Sequence, residues 1–180
     1  LYYTQIYLTD LSGSTLILRA GTGEVGEELL RRQHQLPVSP GSINGHAASE
    51  KHTVLVANTK ENPNFLPNPL LPETRSEMAV PLIANGIVLG VLDMQSAQSG
   101  ALNELNVPTF EALAGQLAIA IQNAALLAQA KQARREVEAQ VRHLTEQGWQ
   151  DFLDAIERGQ KIGFAFSQSE IVRLQPDGLA

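Results

Sequence analysis

Apolar and polar positions alternate through residues 2–9, a stretch rich in aromatic and β-branched side chains, and the same character returns over residues 15–20 after Ser12, Gly13 and Ser14. Two period-two runs joined by turn residues predict an antiparallel hairpin. Gly21, Gly23 and Gly26 break the second strand, and residues 27–33 then fit at most a short helix before Pro37 and Pro40. Ser42 stands ahead of Ile43, His46, Ala47 and Glu50, a hydroxyl cap followed by helical spacing, and residues 53–57 (TVLVA) form a compact strand. Residues 58–72 carry Pro63, Pro67, Pro69 and Pro72 among several asparagines, which predicts a long irregular loop. Loops of that length in compact domains usually serve a function.

A second hairpin follows. Residues 76–83 (SEMAVPLI) and 87–95 (IVLGVLDMQ) flank Asn85-Gly86, a strong short-range hairpin signal. Both strands are apolar on both faces, so they belong at the centre of the sheet, with Pro81 placed where no ladder donor is needed. From residue 103 or 104 onward, three-and-four spacing predicts one long helix reaching about Glu146, with Pro108 in its first turn. Phe110, Leu113, Leu117, Ala120, Ala124 and Leu127 make one stripe. Ala130, Arg134, Val137, Val141 and Leu144 continue it after a step of three where four is due, which resembles a coiled-coil stammer. At 1.5 Å per residue such a helix runs on the order of 60 Å, about twice what a small domain covers, so part of it is expected to project. Trp149, Phe152, Leu153 and Ile156 suggest a second short helix ended by Gly159, and residues 161–166 with 170–174 a further hairpin. A lone hairpin is marginal in water and needs something to pack on.

The chain of 180 residues has no cysteine. That excludes thiol nucleophiles, disulfides, Cys-ligated zinc, iron–sulfur ligation and thioether attachment of a pigment. With 43% hydrophobic and 18% charged residues it is globular rather than disordered, and no apolar run approaches the roughly 20 residues that cross a bilayer, which predicts a soluble chain without membrane insertion. A net charge of −6 repels phosphate backbones and argues against nucleic acid as a partner. The chain begins at Leu1 with a strand already under way, which suggests a piece of a longer protein.

His34, His46, His52 and His143 show no H-E-x-x-H spacing, so a metal site is not expected. His46 is either a ligand contact or a helix-edge histidine. No serine sits in G-x-S-x-G, no P-loop occurs, and Gly21-Thr22-Gly23 lacks the rest of a dinucleotide fingerprint. Catalytic residues: none. The loop over residues 58–75 mixes asparagines with Phe65, Leu66 and Leu70, a composition found in small-molecule pockets. It fits equally a loop in which Asn and Pro shape turns, Phe65 plugs the core and Arg75 pairs with Glu73 or Glu77. Asp93 and Gln95 near the end of a buried strand raise the same question, and a structural hydrogen bond is the simpler role for a buried Asp93.

The residues TRSEMAVPLIANGIVLGVLDMQS (74–96) and FEALAGQLAIAIQNA (110–124) resemble the GAF domain family, and the likeness extends upstream through GSINGHAASEKHTVLVAN to YYTQIYLTD. The resemblance implies an α+β fold: an antiparallel β-sheet of five or six strands flanked by helices on both faces, with a long C-terminal signalling helix. It implies residues 1–125 as a GAF-like sensor domain lacking its first helix, 126–147 as a projecting coiled-coil-like helix, and 148–180 as a helix-and-hairpin tail or linker. It implies a ligand pocket closed by residues 42–78. Together with the loop's composition this selects Asn44, His46, Asn58, Phe65, Arg75, Met78, Val80 and Gln95 as candidate ligand contacts, with no metal ligand. Terminal helices that pair between protomers are also implied. The candidate homodimer interface is Phe110, Leu113, Leu117, Ala120, Ala124, Leu127, Val137, Val141 and Leu144.

Two departures bear on function. Without cysteine the chain cannot carry out the chemistry of the bilin-attaching or methionine-sulfoxide-reducing members. Residues 58–65 (NTKENPNF) do not reproduce the pattern of the cyclic-nucleotide-binding members. The resemblance therefore implies a non-catalytic, cytoplasmic, bacterial sensor module that binds an unidentified small molecule and relays binding through a helical homodimer. The alternative is a ligand-free dimerisation and spacer domain.

Overall fold

A computed structural model of the chain describes residues 1–63, 65–160, 164–167 and 170–173. Two hairpins supply the middle of the fold. The first joins β1 (Tyr3–Thr9) to β2 (Thr15–Gly21), closed by Asp10, whose carboxylate accepts from the backbone N–H groups of Ser14 and Thr15 at 2.9 and 3.1 Å. After α1 (Gly23–Arg31) the chain adds a three-residue edge strand, β3 (Gln35–Pro37), then α2 (Ile43–Glu50) and β4 (Val54–Val56). The second hairpin joins β5 (Ser76–Ala84) to β6 (Ile87–Ser96) through Asn85 and Gly86, both at positive φ (51° and 76°). That backbone suits a two-residue turn whose twist matches the strands. All pairings are antiparallel, in the order β3-β2-β1-β6-β5-β4. The hairpins thus meet along β1 and β6, as strands with two apolar faces require. Since β4 pairs only with Glu77, Met78 and Ala79, Pro81 lies past its last rung, where no donor is required.

Alternation along each strand divides the side chains between two cores. On one face Tyr3, Tyr7, Leu16, Leu18, Ala79 and Val91 pack with Leu29 of α1 and with Ile43, Ala47 and Ala48 of α2. On the other, Met78, Val80, Leu82, Leu92 and Met94 pack with Ala114 and Ala118 of α3 (Val107–Gln160). Helices therefore cover both faces, and the α+β architecture inferred from the resemblance is the one observed.

Several elements differ from the sequence reading. The first helix starts at Gly23 rather than residue 27, and Gly26, read as a breaker, lies inside it. The reason is a close approach: a Cβ on Gly26 would overlap the Gly21 carbonyl of β2. β3 is too short to show a period and was not foreseen. The last helix runs unbroken to Gln160, through Gly148, where residues 148–180 suggested a fresh start. A helix interior tolerates one glycine at modest cost. Phe164–Ser167 (β7) and Glu170–Arg173 (β8) pair as the expected hairpin, while residues 161–163 and 174 of that reading lie outside the described residues. The chain divides into two compact units, Leu1–Leu126 and Leu127–Ala180.

The assigned helical seam also needs correction. Phe110 and Leu117 pack against the Met78–Met94 core, beside Val107 and Ile121, so they serve the sheet rather than a partner helix. Leu113, Leu127, Val137, Val141 and Leu144 remain exposed, as do Ala120 and Ala124. Leu113, Ala120, Leu127, Arg134 and Val141 recur every seven residues, while the step of three from Leu127 to Ala130 persists after Ala124. No charge occurs between Glu111 and Lys131, and α3 contains an 18-residue window of mean hydropathy 1.3, enough by length and composition to cross a membrane, contrary to the reading from runs of apolar residues alone. The same stretch contributes Ala114 and Ala118 to the core.

Two of the helical glycines, Gly26 and Gly115, provide a paired test, because a Cβ at Gly115 meets nothing within 4 Å. Gly26→Ala should destabilise by about 1–3 kcal/mol through overpacking, and Gly115→Ala should stabilise by roughly 0.5–1 kcal/mol through helix propensity. Urea denaturation of the two variants measures both.

Candidate functional site

The face shared with α1 and α2 is not fully packed. A cavity of about 260 Å³ lies there, smaller than the roughly 300–1,000 Å³ typical of drug-sized ligands, and so suited to a small metabolite. Its floor is the sheet itself, through Gln5 and Tyr7 of β1, Glu77 of β5 and Gln95 of β6. Leu29, Leu36 and Ile43 make apolar walls, and Phe65, Leu66 and Leu70 of the long loop form the roof. Arg32 and His34, just beyond α1, border it too. The N-terminus of α2 is set by Ser42, whose Oγ accepts from Gly45 N–H at 3.0 Å, and this cap fixes Ile43 and Asn44 on the cavity side.

The sheet register explains why the floor is polar. Gln5 stands opposite Asp93, and Glu77 stands opposite Gln95, in rungs two residues apart on the same face of β1, β6 and β5. Asp93 Oδ2 accepts from Gln5 Nε2 at 2.6 Å and from Gln95 Nε2 at 2.8 Å. Thr74 Oγ1 donates to Gln95 Oε1 at 2.7 Å, which fixes the orientation of that amide. Asn44 Nδ2 donates to Glu77 Oε1 at 3.3 Å. Both carboxyl groups are deeply buried, and no cation pairs with either among the described residues. Burial, then the charge of Asp93, then a hydrogen bond with Asp93 hold the Glu77 carboxyl well above its ordinary range. Burial also raises Asp93, against the amides that favour its charged form. Both carboxyl groups are thereby driven toward the protonated form, Glu77 well above its ordinary range. Burial, with the Asp93 charge next, pushes the Tyr3 hydroxyl up to about 12 and raises Tyr7 further. Burial lowers His34, so each of these neighbours is driven toward its neutral form.

Donors and acceptors do not balance here. Gln5 Oε1 and Asn44 Oδ1 are buried with no hydrogen-bond partner, as is the Tyr3 hydroxyl. Gln5 and Asn44, only 4% and 5% exposed, both line the cavity.

Of the residues selected from the sequence, Asn44, Phe65 and Gln95 line this cavity. Met78 and Val80 do not: they lie in the core against α3, because the parity of β5 puts Glu77 and Ala79 on the cavity face. His46 points instead to the far side of α2, where its ring meets that of His52 at 5.7 Å beside Glu104 and Glu111. Asn58 caps a short 3-10 turn, Thr59–Glu61, rather than facing the cavity. Arg75 pairs with neither Glu73 nor Glu77 among the described residues; its Nε is buried without a hydrogen-bond partner. Gln5, Tyr7 and Glu77 were missed, although residues at i and i+2 in a strand share a face, so the odd-numbered set of Glu77, Asp93 and Gln95 was there to be read. No group of three metal-ligating side chains occurs among the described residues.

Residues 6–122 match the sequence profile of a GAF domain, GAF_2. No curated protein matches the chain. Among solved structures, one of the GAF domain is 29% identical with a TM-score of 0.54, over 63% of this chain and 60% of that one. Free methionine-R-sulfoxide reductase from Neisseria meningitidis, in complex with its substrate, is 25% identical with a TM-score of 0.54, over 63% of this chain. The present chain spans about 62% of that reductase. The GAF domain of a phosphoenolpyruvate-protein phosphotransferase from Coxiella burnetii shares the fold, with a TM-score of 0.62 at 21% identity over 71% of this chain and 75% of that one.

The acid pair sets a pH dependence with a definite sign. Glu77 binds its proton more tightly in the folded than in the unfolded chain. Its contribution is thus fully present below the ordinary value of 4.5 and is lost as pH rises toward the higher folded value. Asp93 acts in the same direction. Between about pH 5 and about pH 8 the melting temperature of the wild type should fall by several degrees relative to Glu77→Gln, which keeps the shape without the ionisation. Calorimetric melts of both proteins across that range provide the check.

Proposed function

The chain belongs to the GAF domain family, and from that premise we propose that it is a non-catalytic sensor module of a bacterial signalling protein, working in the cytoplasm. A small molecule enters the cavity between sheet and loop, and its binding is relayed through a homodimer of the long helix. The observation that carries this reading is the cavity itself. It is lined by the sheet, by α1 and α2 and by the long loop, its floor is built from buried polar groups, and two acceptor oxygens of its lining, Gln5 Oε1 and Asn44 Oδ1, lack donors. A domain that served only as a spacer would gain stability by filling that volume with apolar side chains.

Similarity to a reductase raises the question of catalysis. The methionine-sulfoxide-reducing members depend on cysteine, and this chain has none. The cavity also lacks a serine or histidine placed against a base in the manner of an activated nucleophile. Both observations support binding without turnover.

The relay follows from the two-faced sheet. β5 and β6 place Glu77 and Gln95 on the cavity side and Met78 and Met94 on the α3 side. A ligand that prefers one arrangement of those strands shifts the packing of Ala114 and Ala118 on the opposite face, and only a difference in affinity between two arrangements can produce that shift. The exposed row of Leu113, Leu127, Val137, Val141 and Leu144 supports pairing with a second copy, with Arg134 as a weak point in the seam.

Two measurements test the reading. A ligand present at about a hundred times its dissociation constant stabilises by about 2.7 kcal/mol, so thermal shift against pooled small metabolites should show a rise of roughly 5–10 °C for at least one pool. No shift for any pool, and no bound species in native mass spectra of the purified chain, would leave the spacer. For the dimer, sedimentation at tens of micromolar should show self-association that Val137→Asp with Leu144→Asp abolishes while the melting transition of the sheet domain persists. A wild type that stays monomeric contradicts the relay.

A further inference from the structure

The cavity floor specifies what kind of head group it accepts. Gln5 Oε1 and Asn44 Oδ1 are acceptors, nine-tenths or more buried, lining the cavity and without donors; beside them lies the Glu77 carboxyl, backed by Asp93. The matching amide nitrogens are already committed, Gln5 Nε2 to Asp93 and Asn44 Nδ2 to Glu77. The floor is therefore short of free donors, and neither of its two carboxyl groups has a lysine or arginine paired to it among the described residues. Leu29, Leu36, Ile43, Phe65 and Leu70 supply an apolar enclosure above it.

We propose that the cavity binds a small molecule carrying an alkylammonium head and a short apolar body, the ammonium donating to Gln5 Oε1, Asn44 Oδ1 and the ionised Glu77. An ammonium brings three N–H donors and one positive charge, which meets both deficits together. This deepens the sensor reading and rests on it. A neutral hydroxyl would satisfy one acceptor and leave the charge unmatched, while an anion would meet the carboxylates directly.

In the free protein the proton on Glu77 does part of this work. Binding replaces that proton: the ligand enters as the ammonium, Glu77 ionises, and the proton leaves to solvent, so charge and atoms balance. The groups around Glu77 leave it as the titrating site. Tyr3 and Tyr7 on β1 stay protonated, Asp93 on β6 is the other half of the pair, and Asn44 on α2 does not ionise. His34 and Arg32 border the cavity, and Arg32 is engaged with Glu28 at 2.6 Å. Affinity should accordingly rise with pH through the neutral range, up to the ligand's own ionisation near that of lysine, about 10.4.

The head group occurs in free amino acids and in their decarboxylated amines, and one set of probes separates them. Isothermal titration of the full chain would use L-leucine, isoamylamine and isocaproate, which share a branched tail, in two buffers of different ionisation enthalpy. The expected result is binding of at least one of the two ammonium compounds, none by isocaproate, and release of about one proton per ligand. L-leucine binding tenfold or more tighter than isoamylamine assigns the amino acid, with the carboxylate read at Arg32 and His34; the reverse order assigns the amine. Glu77→Gln, checked for folding by its melt, should lose tenfold or more in affinity, and Leu36→Trp, which fills the cavity and keeps the floor, should lose it as well. Binding that survives Glu77→Gln, binding of isocaproate, or binding without proton release overturns the proposal. If the ammonium probes fail while an anionic or neutral metabolite shifts the melt, the head-group assignment falls and the sensor reading stands. If nothing binds, both fall.

Discussion

Two carboxyl groups in the middle of a sheet cannot both keep their charge without help, and Glu77 and Asp93 receive help from amides alone. Gln5 and Gln95 donate to Asp93, Asn44 donates to Glu77, and burial with the neighbouring Asp93 drives Glu77 toward its protonated form. A buried charge without a partner is among the costlier features a fold can carry, whereas an apolar residue at either position would pack at no such penalty. The pair thus marks the place where the chain departs from the best packing of its own core. That place is the cavity floor.

The rest of the molecule is arranged around this constraint. Strict alternation lets one hairpin, β5 and β6, present polar groups to the cavity and Met78, Val80, Leu92 and Met94 to α3. The long loop closes over the polar side because Phe65 and Leu70 find apolar neighbours in the upper core, while Thr74 reaches down to orient Gln95. A change of charge at Glu77 therefore acts on strands whose opposite faces hold the helix. Coupling between cavity and helix needs no further chain of residues, since the same two strands belong to both.

Much of the fold was legible from local patterns. The Asn85-Gly86 turn, the Ser42 cap and the two-sided hydrophobicity of the central strands each depend on neighbours close in sequence, and each appears where expected. What local reading misjudged depends on distant partners. Gly26 breaks a helix in isolation but is required where α1 crosses Gly21. Phe110 and Leu117 fit a coiled-coil seam by spacing, yet the sheet takes them first. The site was legible only in part for the same reason. Asn44, Phe65 and Gln95 were found through loop composition and resemblance, but Gln5 joins them from a strand whose hydrogen-bond partner there, Asp93, lies 88 residues away. Met78 and Val80 were a parity error, one residue out of register with Glu77.

The protonation of Glu77 beside Asp93 is open to direct measurement. Infrared spectroscopy of the ligand-free protein at neutral pH, with isotope-labelled glutamate side chains, reads it directly. A band of a protonated glutamic acid carboxyl that disappears in Glu77→Gln is the predicted result. A wild-type spectrum in which every glutamate is ionised at neutral pH would contradict it.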